Sequence, residues 1–134
     1  MKQRADVVRG WLRKASSDAA AVESLLKGGN FDAACFHAQQ AAEKYLKAFL
    51  TYHGRQFPFT HNLAELVELC AAVDTSFRSL ASDLAGLTPY AVELRYDDAF
   101  APSREVAQQA RDSALRARDF VLGRLPERIL QDAG

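Results

Sequence analysis

The stretch CFHAQQAAEKYLKAFL, residues 35–50, carries the clearest structural signal in the chain. Its apolar residues recur three and four positions apart, which places their side chains on one face of an α-helix. Several of them are alanines, whose small side chains let a neighbouring helix approach closely. Because Asn30 is a good N-cap and Gly54 a good terminator, we predict a long helix over residues 31–53.

The sequence before this stretch shows the same helical spacing. Apolar residues from Val7 to Leu26 fall on one stripe and predict a first helix over residues 4–27. Gly28 and Gly29 end this helix, because glycine enters the left-handed C-cap conformation without a Cβ penalty.

The sequence after Gly54 predicts two shorter helical segments and a long last helix. Residues 54–59 (GRQFPF) carry the main loop signal, and residues 97–102 (DDAFAP) carry a second one. The predicted helices are residues 62–73 with Thr60 as cap, a stretch from Phe77 that kinks or restarts at Pro89, and residues 104–125 with Ser103 as cap. Short connections favour antiparallel neighbours, so we expect the helices to pack up and down.

No segment of the sequence predicts a strand. Persuasive alternation of apolar and polar residues is absent, and no repeat of about 20 to 50 residues is visible. The pattern therefore predicts an all-α fold, an up-down helical bundle of four main helices plus a shorter one. With 25% charged and 49% hydrophobic residues the composition excludes a disordered chain, and we expect residues 1–134 to form a single helical domain.

The charges balance over the whole chain but not along it. There are 17 basic and 17 acidic residues, and this neutrality argues against a protein that holds nucleic acid or a membrane by bulk basic charge. Residues 57–101 carry more acidic than basic residues, whereas residues 1–27 carry more basic than acidic residues. A bundle with this distribution is dipolar and favours selective association with an oppositely charged partner.

The cysteines and the lengths of the apolar runs indicate the cellular compartment of the protein. Cys35 and Cys70 lie far apart among apolar neighbours, so we expect two buried free thiols rather than a disulfide. No apolar run approaches the roughly 20 residues that cross a bilayer, and no apolar core of a signal peptide follows Met1. We therefore expect a cytoplasmic protein that makes no membrane contact.

The polar side of the predicted second helix is the first candidate for a functional site. His37, Gln40, Lys44 and Lys47 follow one another at helical spacing and line one side. The side is interpreted either as a solvated helix face or as a strip that recognises an anion, since all three residue types can donate to phosphate. An i,i+4 pair of Glu43 with Lys47 supports the solvated face.

His61 and Arg95 are two further candidates. His61 begins the third predicted helix, where it can cap, pack or bind a ligand. Arg95 precedes Asp97 and Asp98, so it forms either a local ion pair or a guanidinium kept available for phosphate. The nearby Tyr90 favours the second interpretation.

The three histidines do not form a metal motif. His37, His53 and His61 lack the His-x-x-x-His or Cys-x-x-Cys partners of a zinc site, and no glycine-rich loop precedes a Lys-Ser/Thr pair. A Ser-His-Asp or Cys-His arrangement assembles in space, so the sequence leaves it open, although no local motif supports one. We expect no metal site and no cofactor.

Residues 35–50 resemble the second-helix signature of HEPN domains. Residues 61–63, His-Asn-Leu, look like the histidine-led third helix of that family, and residues 87–96 (LTPYAVELRY) look like its segment ending in Arg-Tyr. The resemblance covers nearly the whole chain. The second-helix stretch is fairly specific, and the order and spacing of the two shorter matches strengthen it.

The resemblance implies a bundle of four main helices plus a shorter one, as a homodimer in a bacterial or archaeal cytoplasm. It implies that stand-alone members pair with a small, separately encoded nucleotidyltransferase. Because the bundle is similar to the substrate-binding helical domain of larger nucleotidyltransferases, it also implies binding of a nucleotide or a similar ligand.

Many members of the resembled family are metal-independent ribonucleases, often toxins of toxin–antitoxin pairs. Their motif is an arginine followed after four to six residues by a histidine. Carried onto Arg95, the motif would place the histidine within residues 100–102, which are Phe-Ala-Pro, and none of these can transfer a proton. Arg55 and His61 satisfy the spacing, but they lie in the wrong loop and are interpreted as a chance match.

The leading hypothesis is a HEPN protein without catalytic residues that binds a nucleotide or similar anion, a small nucleotidyltransferase, or both. The expected ligand contacts are Gln40, Lys44, His61, Tyr90 and Arg95. Gln40 and Lys44 would contact phosphate or a partner carboxylate, Arg95 would hold phosphate, and Tyr90 would stack on a base.

Two alternatives remain beside it. The first is a ribonuclease toxin that uses a dimeric cleft. The second is a structural partner whose exposed apolar surface dimerises or docks, with Phe36, Phe57 and Phe59 as candidates because they fall off the main apolar stripes.

Overall fold

The helices that the sequence predicts are present in the computed structural model, which describes residues 3–131. Within that range the chain forms six α-helices, two 3₁₀ segments and no strand, which confirms the all-α fold. The α-helices are α1 (Arg4–Lys27), α2 (Phe31–Tyr52), α3 (Leu63–Ala71), α4 (Ala81–Ala85), α5 (Arg104–Leu122) and α6 (Glu127–Gln131). The 3₁₀ segments are Thr75–Leu80 and Thr88–Tyr90.

The helix α2 lies at the centre of the bundle. It packs mainly against α1 and α5 and also contacts α3. Ala38, Ala41 and Ala42 are fully buried, because their small side chains let the neighbouring helices come close. Leu46 and Phe49 fill the core beside them, and burial of each such large apolar side chain contributes about 1.5–3 kcal/mol.

Glycine follows the first two helices, as the sequence predicts. Gly29 and Gly54 have positive φ angles of 75° and 66°, a left-handed conformation that residues with a Cβ adopt only under strain. A Cβ at Gly54 would also lie 2.9 Å from Nη2 of Arg4, but that atom ends a flexible, exposed side chain that can move aside. The chain therefore turns sharply after α2 and passes close to the Arg4 guanidinium.

The caps of the later helices match the prediction in one case and differ in another. Ser103 accepts a hydrogen bond from the backbone N–H of Val106 at 3.2 Å, which confirms it as the cap of α5. The prediction that Thr60 caps α3 is wrong, because the Asn62 side chain accepts from the Glu65 N–H at 3.2 Å. Thr60 Oγ1 instead accepts from the Asn62 N–H and so orients the residue that caps.

The segment between α3 and α5 departs furthest from the predicted helices. The sequence predicts a helical stretch from Phe77 with a kink or restart at Pro89. The chain there forms a 3₁₀ segment, the short α4 and a second 3₁₀ segment that contains Pro89, and residues 91–96 form turns. Gly86 and Pro89 explain the interruptions, since glycine costs a helix about 1 kcal/mol and proline about 3 kcal/mol relative to alanine. Phe77 and Leu84 remain fully buried, so the broken segment still completes the core.

The end of the described chain holds a helix that the sequence did not predict. The helix α5 stops at Leu122 rather than at residue 125, and α6 begins directly after Pro126. Proline is favoured at helix starts because its fixed φ suits the first turn. A helix of five residues is too short to show periodicity, but it buries Ile129 and so adds to the core.

Both cysteines are free and buried, as expected. Burial raises the pKa of the Cys35 thiol to about 11 and that of Cys70 to about 12, so both behave as small apolar side chains. Among residues 3–131, no helix has both the length and the apolar character that a bilayer crossing requires.

We expect Gly54→Ala to destabilise the fold by about 1 kcal/mol, because alanine is strained at a φ of 66°. Gly10→Ala is the matched control. Gly10 lies inside α1, where a Cβ would meet only the Arg13 side chain at 4.0 Å, so stability should rise by about 0.5–1 kcal/mol. Urea unfolding measures both changes, and a Gly54→Ala variant as stable as wild type would contradict the constraint.

Candidate functional site

A strip of polar side chains runs along α2 through otherwise apolar packing. Its members, called the α2 polar strip below, are His37, Gln39, Gln40, Glu43, Lys44 and Lys47. Gln39, Glu43 and Lys47 are buried, so the interpretation as a solvated helix face is wrong for this part of the strip. In the described chain, every buried side-chain nitrogen and oxygen has a hydrogen-bond partner, as the cost of about 1–3 kcal/mol for an unpaired group requires.

The carboxylate of Glu43 is the acceptor at the centre of the strip. His61 Nδ1 lies 2.8 Å from its Oε1, Gln39 Nε2 donates to the same oxygen at 3.1 Å, and Lys47 Nζ donates to Oε2 at 3.0 Å. Burial by itself raises the pKa of Glu43, but these hydrogen bonds and the charge of Lys47 lower it below its ordinary value. The carboxylate is therefore ionised at neutral pH and holds the segment before α3 against α2.

Lys47 lies between this carboxylate and two aromatic rings. Its Nζ is 5.4 Å from the ring centroid of Trp11 and 5.6 Å from that of Phe57, which is cation–π distance. The two rings also meet edge to face, with centroids 6.3 Å apart. Phe57, a candidate for an exposed docking surface, is therefore half-buried and helps to enclose the ammonium group.

Gln39 links the centre of the strip to its exposed edge. Its Nε2 donates to the backbone carbonyl of His61 at 3.2 Å as well as to Glu43, while its Oε1 accepts from Gln40 Nε2 at 2.6 Å. Both ends of the amide are thereby used. Gln40 is thus held in one orientation at the half-buried edge of the strip.

A second carboxylate, that of Asp18 in α1, organises the other half of the strip. His37 Nδ1 lies 2.9 Å from Asp18 Oδ1, and Lys44 Nζ donates to Oδ2 at 2.6 Å. Asp18 is buried between α1 and α2. Because Asp18 faces Lys44 here and Glu43 faces Lys47, the two lysines of the strip bring little net positive charge to a ligand.

The two histidines of the site, His37 and His61, share one arrangement. Each points Nδ1 at a buried carboxylate, so that an N–H at Nδ1 donates a hydrogen bond to the carboxylate and Nε2 is left for another partner. Their side chains are 34% and 40% exposed, so a ligand at the surface can reach both. The interpretation of His61 as a cap of α3 does not apply to its side chain, because Asn62 caps that helix.

Arg95 lies beside the strip and is held by an aromatic ring. Its Cζ is 4.5 Å from the ring centroid of Phe36, and Phe36 in turn meets the His37 ring edge to face at 5.1 Å. Within the described residues the Arg95 guanidinium forms no ion pair, so the interpretation as a local pair with Asp97 or Asp98 is wrong. Asp97 Oδ1 accepts instead from the N–H of the second residue after it, at 2.9 Å.

Tyr90 is placed differently from the other predicted residues. Its ring stacks on Phe100 with centroids 5.5 Å apart and an interplanar angle of 28°. It is half-buried, and burial raises its pKa. One ring face is therefore occupied within the protein.

The structure brings four of the five predicted ligand contacts into two linked groups. Gln40 and His61 are joined through Gln39 and Glu43, while Lys44 and Arg95 are joined through Asp18, His37 and Phe36. Tyr90 is the exception, since its ring stacks on Phe100.

Sequence reasoning missed two residues that hold the site together, Asp18 and Gln39. Asp18 falls three residues after Ala15 and four before Val22, on the buried stripe of α1. An acid at such a position must find a buried partner, and that signal was present in the sequence. No group of three His, Cys, Asp or Glu side chains that could hold a metal ion occurs in the described part of the chain.

Comparisons with known proteins agree with this architecture. The HEPN domain family model matches residues 8–125. The crystal structure of TT1696 from Thermus thermophilus is similar, with a TM-score of 0.74 and 28% identity over 88% of this chain and 98% of that chain. ST0689, an archaeal HEPN homologue, shares the fold, with a TM-score of 0.70 and 23% identity over 92% of this chain and 98% of that chain. No curated protein matches the sequence.

We expect Glu43→Gln to destabilise the protein by about 3–5 kcal/mol, because it leaves the Lys47 ammonium buried without its counter-charge. The double variant Glu43→Gln/Lys47→Met should lose less stability than the sum of the two single variants, since it removes both charges together. Chemical denaturation at neutral pH measures all three. Additive losses would contradict the assigned pair.

The pH dependence separates the charge of Glu43 from its packing. Because the pKa of Glu43 is lowered in the folded protein, its ionisation contributes stability that is fully present above the ordinary carboxyl pKa. That contribution is lost as the pH falls through the lowered pKa. The stability gap between wild type and Glu43→Gln should therefore narrow on acidification, and a gap that stays constant would argue against it.

Proposed function

The chain belongs to the HEPN domain family, and from that premise we propose that it is a non-catalytic binding protein. Its ligand is a nucleotide or a similar small anion, and its macromolecular partner is a small nucleotidyltransferase. Family membership supports this class of function, and the α2 polar strip with Arg95 supports the position of the ligand. The proposal treats residues 1–134 as one domain and places it in the cytoplasm, which the two free buried thiols support.

The observation that carries the proposal is that the guanidinium of Arg95 forms no ion pair with any described residue. Contact with the ring of Phe36 at 4.5 Å holds the group in place without using its N–H donors. Within the described residues no carboxylate competes for these donors, although Asp97 and Asp98 follow in the sequence. A planar guanidinium presented in this way suits bidentate contact with phosphate.

The neighbouring strip supplies the remaining ligand contacts. The ring of Phe36, which contacts Arg95, also meets the ring of His37, and His37 Nε2 is proposed to contact the same ligand. Lys44 uses one donor on Asp18 and keeps others for a phosphate oxygen. Because Asp18 and Glu43 already balance the cations of the strip, Arg95 is the group that gives the site its preference for an anion.

Gln40, Tyr90 and His61 are proposed to contact the rest of the ligand. Gln40 donates through Nε2 to Gln39, which leaves its side-chain oxygen for an amino group of a base. Tyr90 is proposed to stack on that base with the ring face that Phe100 does not cover. His61 would approach through Nε2, because Nδ1 is held on Glu43.

A homodimer belongs to the same proposal. Phe59 and Tyr96 are 96% and 82% exposed. Phe59 lies two residues before His61, and Tyr96 follows Arg95 directly. Large apolar side chains left in water favour burial against a partner. Phe59 is thus the best placed of the three phenylalanines considered for docking, and light scattering of the eluting protein tests the dimer.

We expect wild-type protein to give saturable heat on titration with ATP or another nucleotide, and Arg95→Gln to weaken the affinity about tenfold or more. Hydrogen bonds to charged groups contribute about 1.5–3 kcal/mol, which sets this magnitude. Arg78→Gln is the matched control. Arg78 is an exposed arginine that pairs with Glu68 at 3.5 Å, and its loss should leave the affinity at the wild-type value.

The same titration covers the protein partner. The small nucleotidyltransferase encoded beside this chain, where there is one, is the second titrant. Folded protein that gives no heat with any nucleotide and none with that partner would overturn the proposed function.

A metal-independent ribonuclease is the second candidate function, and one observation favours it. His37 and His61 are each oriented through Nδ1 by a buried carboxylate, as an imidazole that transfers protons often is. Arg95 would then stabilise charge on the phosphate. Against this function, residues 100–102, where the family motif would put its histidine, are Phe-Ala-Pro.

We expect the protein to leave total RNA intact in the absence of metal, even at high protein concentration, because no histidine follows Arg95 at the motif spacing. Gel electrophoresis of the incubated RNA measures this. Cleavage that disappears in both His61→Ala and Arg95→Ala would establish the ribonuclease and refute the non-catalytic proposal. Cleavage that persists in both variants and also in His37→Ala would come from a contaminant and leave the proposal standing, whereas cleavage lost in His37→Ala would refute it.

A further inference from the structure

A cavity of about 410 Å³ lies where α1 begins, α2 ends and α6 packs beside them. We call it the α1/α2/α6 pocket. It is lined by Arg4, Ala5, Tyr52, His53, Arg128 and Ile129. Two of these side chains are guanidiniums and one is an imidazole, and no carboxylate is among these lining residues. The pocket is therefore positive, and it is separate from the α2 polar strip, with which it shares no residue.

The two guanidiniums converge on a single residue. Arg4 Nη1 donates to the backbone carbonyl of Tyr52 at 3.5 Å, and Arg128 Nη2 donates to the Tyr52 hydroxyl at 3.5 Å. Both bonds are long, and each leaves most of the N–H donors of its guanidinium unused. Within residues 3–131 neither arginine has an ion pair, so both charges remain available.

Hydrogen bonds hold the helices that carry the two arginines. Arg9 of α1 donates to the carbonyls of Arg128 at 3.0 Å and Ile129 at 3.3 Å. The helix α6, which carries Arg128, is thereby held beside α1, which carries Arg4. Both arginine side chains are exposed at the pocket, so a ligand in solution can reach them.

The imidazole of His53 lines the pocket, and its pKa responds to a charge bound there. Its ring packs against Phe49 at 4.5 Å and Tyr52 at 5.1 Å between centroids. Burial and the positive charge of Arg55 lower its pKa, although Asp74 acts in the opposite direction. An anion bound beside the ring would favour the protonated imidazole and raise that pKa.

From this geometry we propose that the α1/α2/α6 pocket is a second anion site, which binds the phosphate group of a small phosphate-bearing ligand between Arg4 and Arg128. Two guanidiniums that line one cavity, each with N–H donors left over, suit the several oxygens of a phosphate. The one long hydrogen bond that each arginine makes to Tyr52 leaves its remaining N–H donors for such a ligand.

The experiment uses pyrophosphate as the probe and the full chain. Binding is followed by isothermal titration and by the NMR signal of His53, which His53→Asn assigns. We expect saturable binding, a downfield shift and raised pKa of His53, and about a tenfold or greater loss of affinity in Arg4→Gln and in Arg128→Gln. Arg116→Gln, an exposed arginine paired with Asp83, is the control and should bind like wild type.

The outcomes separate this site from its alternatives. Equal weakening in the Arg116→Gln control would show a response to overall charge and overturn the proposal. Heat without any change at His53 would place the ion elsewhere and overturn it as well. Adenosine monophosphate is titrated in parallel: binding of both probes with loss in Arg128→Gln identifies phosphate as the recognised group. Binding of the nucleotide alone, unaffected by Arg128→Gln, would assign it to the α2 polar strip and refute a second site.

Discussion

A carboxylate buried inside a helical bundle has to be surrounded by donors, and Glu43 imposes this requirement on the structure around it. Its partners come from two directions, with Gln39 and Lys47 on adjacent turns of α2 and His61 from the segment before α3. The backbone carbonyl of His61 also accepts from Gln39. The loop between α2 and α3 is therefore closed onto α2 at a defined point, and the position of α3 follows from it.

The candidate site depends on the same compensation of charge. Asp18 and Glu43 each neutralise a lysine and each hold a histidine by Nδ1. The strip is thereby rigid and nearly neutral, which suits recognition of one small ligand better than bulk attraction of a polyanion. Arg95 is different, because its contact is with an aromatic ring, and it is the group whose charge is left for a partner.

The sequence anticipated the long helices closely and the short ones poorly. Helix α1 covers the predicted residues, and α2 ends one residue early, at Tyr52. The break at Pro89 follows from the sequence, but the two 3₁₀ segments and the five-residue α6 do not, because a few residues cannot display a helical period. The cap of α3 was assigned to Thr60, since both Thr60 and Asn62 suit an N-cap and only the path of the chain decides between them.

Local spacing and residue type were enough to specify the long helices, the importance of residues 35–50, the free thiols and the family. Helix hydrogen bonds join residues four apart, so their pattern survives in a linear reading. The polar pairing, in contrast, depends on how the helices pack. Asp18 meets His37 and Lys44 at separations of 19 and 26 residues, and this contact exists only once α1 packs against α2. The freedom of Arg95 has the same origin, since the ring that holds it belongs to α2, far in sequence from the aspartates that follow the arginine.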